Sequence, residues 1–408
     1  MAIRTSGLVL NPCTELVLAR QGGEVVAVTT VAPVKGEALR VNTIARASEP
    51  AVFDLLRRVA GKGGQVTADL DAAAWRRLVD IGFLVPAGHA PREVRFRCPP
   101  RDPPRRLVPR GAGPRAPSQG RALQVNPTLR HQDEVRRPEH RPDAADAPSP
   151  FASAASWVFV DHPDAPVPSA LSADDDTREL FRALIPGAAP PSALDPALRR
   201  ALVQADVLLC PAVAERRRRA FERTRAAAAG RFRRGGHVVV DHLIHPTQLA
   251  ALRRYYRELI AEGHVDLADE HAMSRRYRAH DEILARVIHR GLTAFVGKLA
   301  GAQMVPSYSF LASYRPGATL PPHRDRPQCA ITVSLLIDYR PEPDGPAPWA
   351  IHLETGGPNA TAIRLGLGAG LFFRGTTLTH WRDRLPDGHH STSLLLHYVP
   401  KGFRGPLT

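Results

Sequence analysis

The chain has 408 residues, 43% of them hydrophobic, which is enough for two or three globular cores and excludes a wholly disordered chain. No run approaches the roughly 18 apolar residues of a membrane span, and Met1-Ala2-Ile3-Arg4 does not begin a signal peptide. Cys13, Cys98, Cys210 and Cys329 are scattered with no C-x-x-C, which argues against a disulfide framework and points to a reducing, cytoplasmic setting. The net charge of +15 is almost wholly arginine and is concentrated locally.

The first predicted elements are β-rich, Glu24-Val25-Val26-Ala27-Val28 and then Val41-Asn42. A helix at Val52–Leu56, a turn, a second helix from Asp71 and a short apolar strand at Phe83-Leu84-Val85 follow. The pattern returns as Leu180–Leu184 and then Asp195 to Leu209, the second block offset by 124 residues without a gap. Asp71 and Asp195 each sit at the start of a helix, where a carboxylate offsets the N-terminal dipole. Each copy reads as a small winged-helix-like module, one over 1–91 and one over 151–215.

Between the copies, residues 92–142 hold 13 Arg against five acidic residues, with many Pro and Gly. Such a composition cannot build a core, and 92–150 reads as a solvated Arg/Pro-rich linker. Few aromatics are present to stack on bases, which makes nucleic acid an unfavoured partner. A helix over about Ala212 to Ala229 carries Arg216–Arg219 as an exposed basic face. The strand His237–Leu243 follows, then an amphipathic helix, Gln248–Glu262, opened by Pro246 and ended by Gly263.

From Tyr308 onward the pattern is about seven short strands with Gly/Pro turns: Tyr308–Tyr314, Ala330–Tyr339, Trp349–Glu354, Ala362–Leu365, Gly370–Gly375, Thr379–Trp381 and Ser391–Val399. This predicts an α+β protein whose C-terminal part, 216–408, is a double-stranded β-helix, a jelly-roll or cupin-like barrel with supporting helices. Within it stands His323-Arg324-Asp325, answered by His380. Residues i and i+2 of a strand share a face, so His323 and Asp325 can reach one ion with Arg324 turned away. Two histidines and a carboxylate on one face of a metal, with the opposite face open, form the donor set of a non-haem Fe(II) centre.

On these residues, over about 235–408, the chain resembles the 2-oxoglutarate/Fe(II)-dependent dioxygenases, within them the prolyl 4-hydroxylase-like group. Tyr314, the glycine after it and Thr332 suit the same family. The resemblance implies Fe(II) on His323, Asp325 and His380, with 2-oxoglutarate and O₂ as cosubstrates and ascorbate as reductant. It also implies a cosubstrate pocket drawn from Tyr314, Thr332, Arg382, His390, Ser391 and Ser393. The family places an Arg or Lys where His390 stands, so the far carboxylate of 2-oxoglutarate falls to His390 or to one of Arg374, Arg382 and Arg384. Asp325 favours hydroxylation over halogenation, because the related halogenases lack that carboxylate. Residues 10–88 are loosely similar to PqqD-like winged-helix peptide-recognition domains. That similarity implies a peptide or protein substrate, hydroxylated on an amino-acid side chain. A small metabolite or free amino acid is the alternative, and a nucleic-acid demethylase the lesser one. Substrate contacts are expected from Met273–Asp281, including Arg275, Arg276, Tyr277 and Arg278, and from Asp344–Trp349.

Overall fold

The computed structural model describes residues 8–11, 14–21, 24–31, 40–61, 71–86, 94–101, 107, 122–131, 157–173, 175–268, 275–357 and 359–407. They fall into two compact units, one of residues 1–95, 136–152 and 256–266, the other of residues 96–135, 153–255 and 267–408. Most of the expected linker 92–150, and Met273 of the expected substrate loop, lie outside the described residues. No described helix is long and apolar enough to cross a membrane.

The first unit opens with β1 (Leu8–Leu10), then an antiparallel meander of β2 (Thr14–Gln21), β3 (Glu24–Val31) and β4 (Arg40–Ala45). Two helices follow, α1 (Pro50–Gly61) and α2 (Ala72–Asp80), and β5 (Leu84–Pro86) returns to pair with β1. Phe53, Leu56, Leu78, Ile81 and Phe83 build its core with Ala27 and Ile44 of the sheet.

The same order recurs in the second unit. β6 (Gln124–Val125) leads to a three-stranded sheet of β7 (Arg130–His131), β8 (Trp157–Val160) and β9 (Ser169–Ser172). Then come α3 (Asp175–Ala183), α4 (Pro196–Gln204) and β10 (Leu208–Leu209), which pairs with β6. The copies agree in detail. Asp71 caps α2 by accepting from the Ala74 N–H, and Asp195 caps α4 by accepting from the N–H groups of Ala197 and Leu198. The Asn11 side chain donates to the carbonyl of Gly82, and the Asn126 side chain donates to that of Asp206. Gly82 and Asp206 both have left-handed backbones, φ 76° and 58°, and Asp is among the few non-glycine residues that adopt this conformation readily. The duplication therefore includes an Asn-Pro step and a three-stranded sheet upstream of the helices. A helix–turn–helix–strand order is present in both copies, and the winged-helix assignment goes beyond what these elements establish.

The rest of the second unit carries α5 (Pro211–Gly235), β11 (His237–Val240), the first part of α6 (Pro246–Ala261), the end of β12 (Asp266–Ala268), β13 (Arg276–His280) and α7 (Ile283–Ala300). Eight strands then run to the C-terminal end: β14 (Met304–Tyr314), β15 (Leu320–His323), β16 (Ile331–Arg340), β17 (Ile351–Leu353), β18 (Thr361–Ile363), β19 (Gly370–Phe373), β20 (His380–Arg382) and β21 (His390–Pro400). They form a seven-stranded sheet, β11-β19-β16-β21-β14-β13-β12, and a four-stranded sheet, β15-β20-β17-β18. Alternation divides the large sheet into two faces. Val333, Leu335, Phe372, Leu396 and Tyr398 belong to one face; on it Phe372 meets Phe295 of α7, and the Tyr398 hydroxyl donates to the His289 carbonyl of α7. Ala312, Tyr314, Leu336, Leu371 and Phe373 lie on the other face and share a core with Ile351, Leu353 and Ile363 of the small sheet. This is the two-sheet arrangement of a jelly-roll-like barrel.

Candidate metal centre and cavity

The inner face supplies a cavity of about 320 Å³. Register explains its lining. His280, Phe310, Leu395 and Ser334 fall in one row across β13, β14, β21 and β16. His397, Thr332 and Phe373 fall in a neighbouring row. β15 and β20 face this surface with His323, His380 and Arg382, and His323 and His380 are paired in register.

His323, Asp325 and His380 converge here, with their ligand atoms within 4.8 Å of one another. Nε2 of His380 lies 3.5 Å from Asp325 Oδ1, and Nε2 of His323 lies 3.7 Å from the same oxygen. Each imidazole is oriented by its other nitrogen. Nδ1–H of His323 donates to the Pro321 carbonyl at 2.9 Å, and that of His380 to the Leu378 carbonyl at 3.0 Å. Nε2 is thereby the atom turned towards the site on both rings, as metal-bound histidines require.

Asp325 is held just as firmly. Thr332 Oγ1 donates to its Oδ2 at 2.6 Å, and the Asp325 N–H donates to the Gly375 carbonyl. Because the Thr332 proton is committed, His397 Nδ1–H donates to Thr332 Oγ1, 3.1 Å away. A Cβ on Gly375 would meet Asp325 Oδ2, the Cys329 carbonyl and Thr332 Oγ1, the farthest of them at 2.6 Å. Only glycine leaves room for the carboxylate. Burial opposes the Asp325 charge, but hydrogen bonds from His323 and His380, the charge of His380 and the Thr332 hydroxyl hold its carboxyl far below the usual range. The ionised carboxylate and the two Nε2 atoms turned towards it, whose protons a metal ion would replace, form a donor set suited to Fe(II).

Among the described residues, two other groups of potential ligands are clustered. Asp325, Cys329 and His397 are close together, but burial pushes the Cys329 thiol up to about 11 and the His397 ring down to about 4. No thiolate is offered, and His397 Nδ1 is engaged by the Thr332 hydroxyl. His162, Asp206 and His245 are also clustered and fully buried. There Arg217 Nη1 and Nη2 already donate to both Asp206 oxygens, at 2.6 and 2.8 Å. His162 binds Asp206 through Nδ1 and Ser169 through Nε2. This carboxylate is neutralised without a metal.

The expected cosubstrate residues divide. Tyr314, Thr332, Arg382 and Ser393 line the cavity; His390 and Ser391 do not. Burial, with Arg340 and Arg315 nearby, pushes the His390 ring down and disfavours its cation. Ser391 is placed opposite Tyr314 and Tyr339 in register. Arg382 is 7% exposed, lies 4.5 Å over the Trp349 ring, and donates to the Trp349 carbonyl at 3.0 Å. It has no carboxylate partner among the described residues, and burial pushes its guanidinium down to about 10. Ser334 Oγ, Ser393 Oγ and Arg276 Nε are buried with no hydrogen-bond partner. Buried polar groups are normally paired, so this end of the cavity is built for a polar ligand. The other arginines considered lie elsewhere: Arg374 and Arg384 are exposed, and Arg384 pairs with Asp387. Sequence reasoning missed Gly375, Ser334 and His397; only alternation along an already placed strand would have revealed the last two.

No protein-family model matches the chain, and no curated protein matches it. Among solved structures, the chain is similar to the non-haem α-ketoglutarate-dependent epimerase SnoN of nogalamycin biosynthesis, at 16% identity over 44% of this chain and 84% of that one, TM-score 0.38. A prolyl-4-hydroxylase of Pseudomonas putida aligns at 17% identity over 43% of this chain and 98% of that one, TM-score 0.36. HygX of Streptomyces hygroscopicus, solved with nickel and 2-oxoglutarate bound, aligns at 12% identity over 43% and 87%, TM-score 0.34. At these scores the chemistry of the site rests on its residues alone. Those residues present three metal donors beside a buried cation and two unpaired hydroxyls.

Proposed function

We propose that the protein is an Fe(II)- and 2-oxoglutarate-dependent dioxygenase acting as a hydroxylase. The observation that carries this reading is the pairing of two elements in one cavity: the oriented His323/Asp325/His380 donor set and the buried, carboxylate-free Arg382. His323, Asp325 and His380 would hold the iron. Thr332 and Gly375 fix the Asp325 carboxylate. Arg382, with the Ser393 hydroxyl and Tyr314, would take the far carboxylate of 2-oxoglutarate in place of the basic residue the family carries where His390 stands. His380 and Arg382 are i and i+2 on β20, so one strand face serves metal and cosubstrate together. When bound, iron and 2-oxoglutarate supply O₂ activation, with one oxygen atom going to succinate and one to substrate. Phe310, Leu320, Ile351, Phe373 and Leu395 line the cavity with apolar surface and exclude water.

The finer reading is hydroxylation of an amino-acid side chain in a peptide or protein. In the first unit β2 and β4 are edge strands among the described residues and would accept a peptide by strand addition, the role implied by the PqqD-like similarity. Ascorbate would act from solution by keeping the iron ferrous. The test is Fe(II)-dependent conversion of 2-oxoglutarate to succinate, with and without ascorbate, alongside mass spectrometry of candidate peptides and free amino acids for a gain of one oxygen. Succinate formation is expected in wild type and lost in His323→Ala. A wild type that makes no succinate with any candidate contradicts the proposal. Oxygen gain on free amino acids alone contradicts the peptide reading.

A further inference from the structure

We infer that the substrate of this cavity is an oxyanion, a molecule bearing a carboxylate or a phosphate, held by Arg276, Arg324 and Arg326. This rests on the oxygenase reading and names the substrate class of the same site. Among the described residues, four arginines line the cavity, Arg276, Arg324, Arg326 and Arg382, and Asp325 is its only carboxylate. The metal would take Asp325, and Arg382 would take the cosubstrate. Three cations remain.

None of the three has a carboxylate partner among the described residues. Arg276 Nη1 donates to the Tyr314 hydroxyl at 3.2 Å, its guanidinium lies 5.3 Å and 5.6 Å from the Phe310 and Tyr314 ring centres, and its buried Nε has no partner. Arg324 Nε reaches only the Thr379 hydroxyl, at 3.4 Å. Arg326 donates to the Tyr308 hydroxyl at 2.9 Å and lies 5.3 Å from that ring centre. Elsewhere in this unit, three half-buried or buried arginines are given carboxylates. Arg217 has Asp164 and Asp206, Arg253 has Asp338 and Glu342, and Arg130 has Asp161. Among the cavity arginines, Arg276 is half-buried without a carboxylate, and Arg324 and Arg326 are exposed where they line the cavity.

Placement supports the assignment. Arg276 and Arg278 are i and i+2 on β13 and so share a face, and Arg324 and Arg326 flank Asp325 in the segment after β15. A guanidinium resting on an aromatic ring keeps its edge donors free for an oxyanion, which it can bind in a bidentate fashion. Charge-assisted hydrogen bonds of this kind contribute enough to distinguish an anion from its neutral isostere about tenfold or more.

The experiment titrates matched probes into the protein loaded with Zn(II) and 2-oxoglutarate and reads affinity by ligand-observed NMR. Hippurate is compared with hippuramide, and phenyl phosphate with phenol. The expected result is that at least one anion binds about tenfold or more tightly than its neutral partner, and that R324Q/R326Q and R276Q each reduce this preference. The series that shows the preference identifies the anion as carboxylate or phosphate. Equal affinity for anion and neutral partner in both series, no binding by either anion, or a preference unchanged in all variants overturns the inference. 2-Oxoglutarate binding is measured separately. If it fails in wild type, the oxygenase reading falls, and the difference between wild type and R324Q/R326Q toward the same probes, without metal, still decides the oxyanion site.

Discussion

Gly375 shows how tightly the centre is specified. Its missing Cβ is the space that Asp325 Oδ2 and the Thr332 hydroxyl occupy. Gly375→Ala must displace the carboxylate or the strand behind it. It is expected to lower metal affinity by about 10- to 100-fold, the usual effect of disturbing a group that orients a ligand, and a competitive chelator titration measures it. An unchanged affinity would show that Asp325 is not held as described. Asp206 presents the opposite case, a buried carboxylate used for stability. Removing it in Asp206→Ala leaves the buried His162 without its carboxylate and Arg217 with Asp164 alone, and is expected to cost about 3–5 kcal/mol, measured by urea unfolding. The two residues differ in legibility. Asp325 could be read from the sequence because its spacing from His323 is a strand spacing. Arg217 was read as part of an exposed basic face with its neighbours. Arg216, Arg218 and Arg219 are exposed, but Arg217 turns inward to Asp164 and Asp206. A run of identical residues on a helix hides which one faces the interior.

Strands and helices carry the next level. The C-terminal strands were foreseen because alternation and turn residues mark them, and eight run from Met304 to Pro400 where about seven were expected. α7 was missed although its buried face is long, from Leu284 to Leu299; it begins at Glu282, whose side chain caps the Ala285 N–H without any standard Ser, Thr, Asp or Asn signal. The internal repeat was visible in the helices, where α2 and α4 align at the 124-residue offset. Its β part was not, because Asn11 and Asn126 stand 115 residues apart and the offset changes between sheet and helices. α7 also makes a pH prediction. His289 is buried, its ring donates from Nε2 to the His397 carbonyl, and burial pushes it down to about 4. The unfolded ring has the ordinary value of about 6.5. The folded value is depressed, so this stability is complete above about pH 6.5 and is lost as pH falls towards 4. The loss from this group approaches about 3 kcal/mol. Urea unfolding at a series of pH values should show a shallower acid slope for His289→Gln than for wild type. Equal slopes would mean that His289 is not buried neutral.

At the scale of the whole molecule, one face of a seven-stranded sheet and one face of a four-stranded sheet enclose the donors, the buried arginine and the apolar walls. Composition alone gave none of this; the arginine excess behind the +15 charge reads as a solvated linker and an exposed helical face. The fold gives Arg217 and Arg253 carboxylates and leaves the cavity arginines without them. The central claim is that His323, Asp325, His380 and Arg382 together hold iron and 2-oxoglutarate. Anaerobic addition of Fe(II) and then 2-oxoglutarate, followed by visible absorption, tests it most directly. The account predicts a charge-transfer band in wild type that needs both additions, is absent in His380→Ala, and requires markedly more 2-oxoglutarate in Arg382→Gln. A wild type without the band, or a band that persists in His380→Ala, would contradict it.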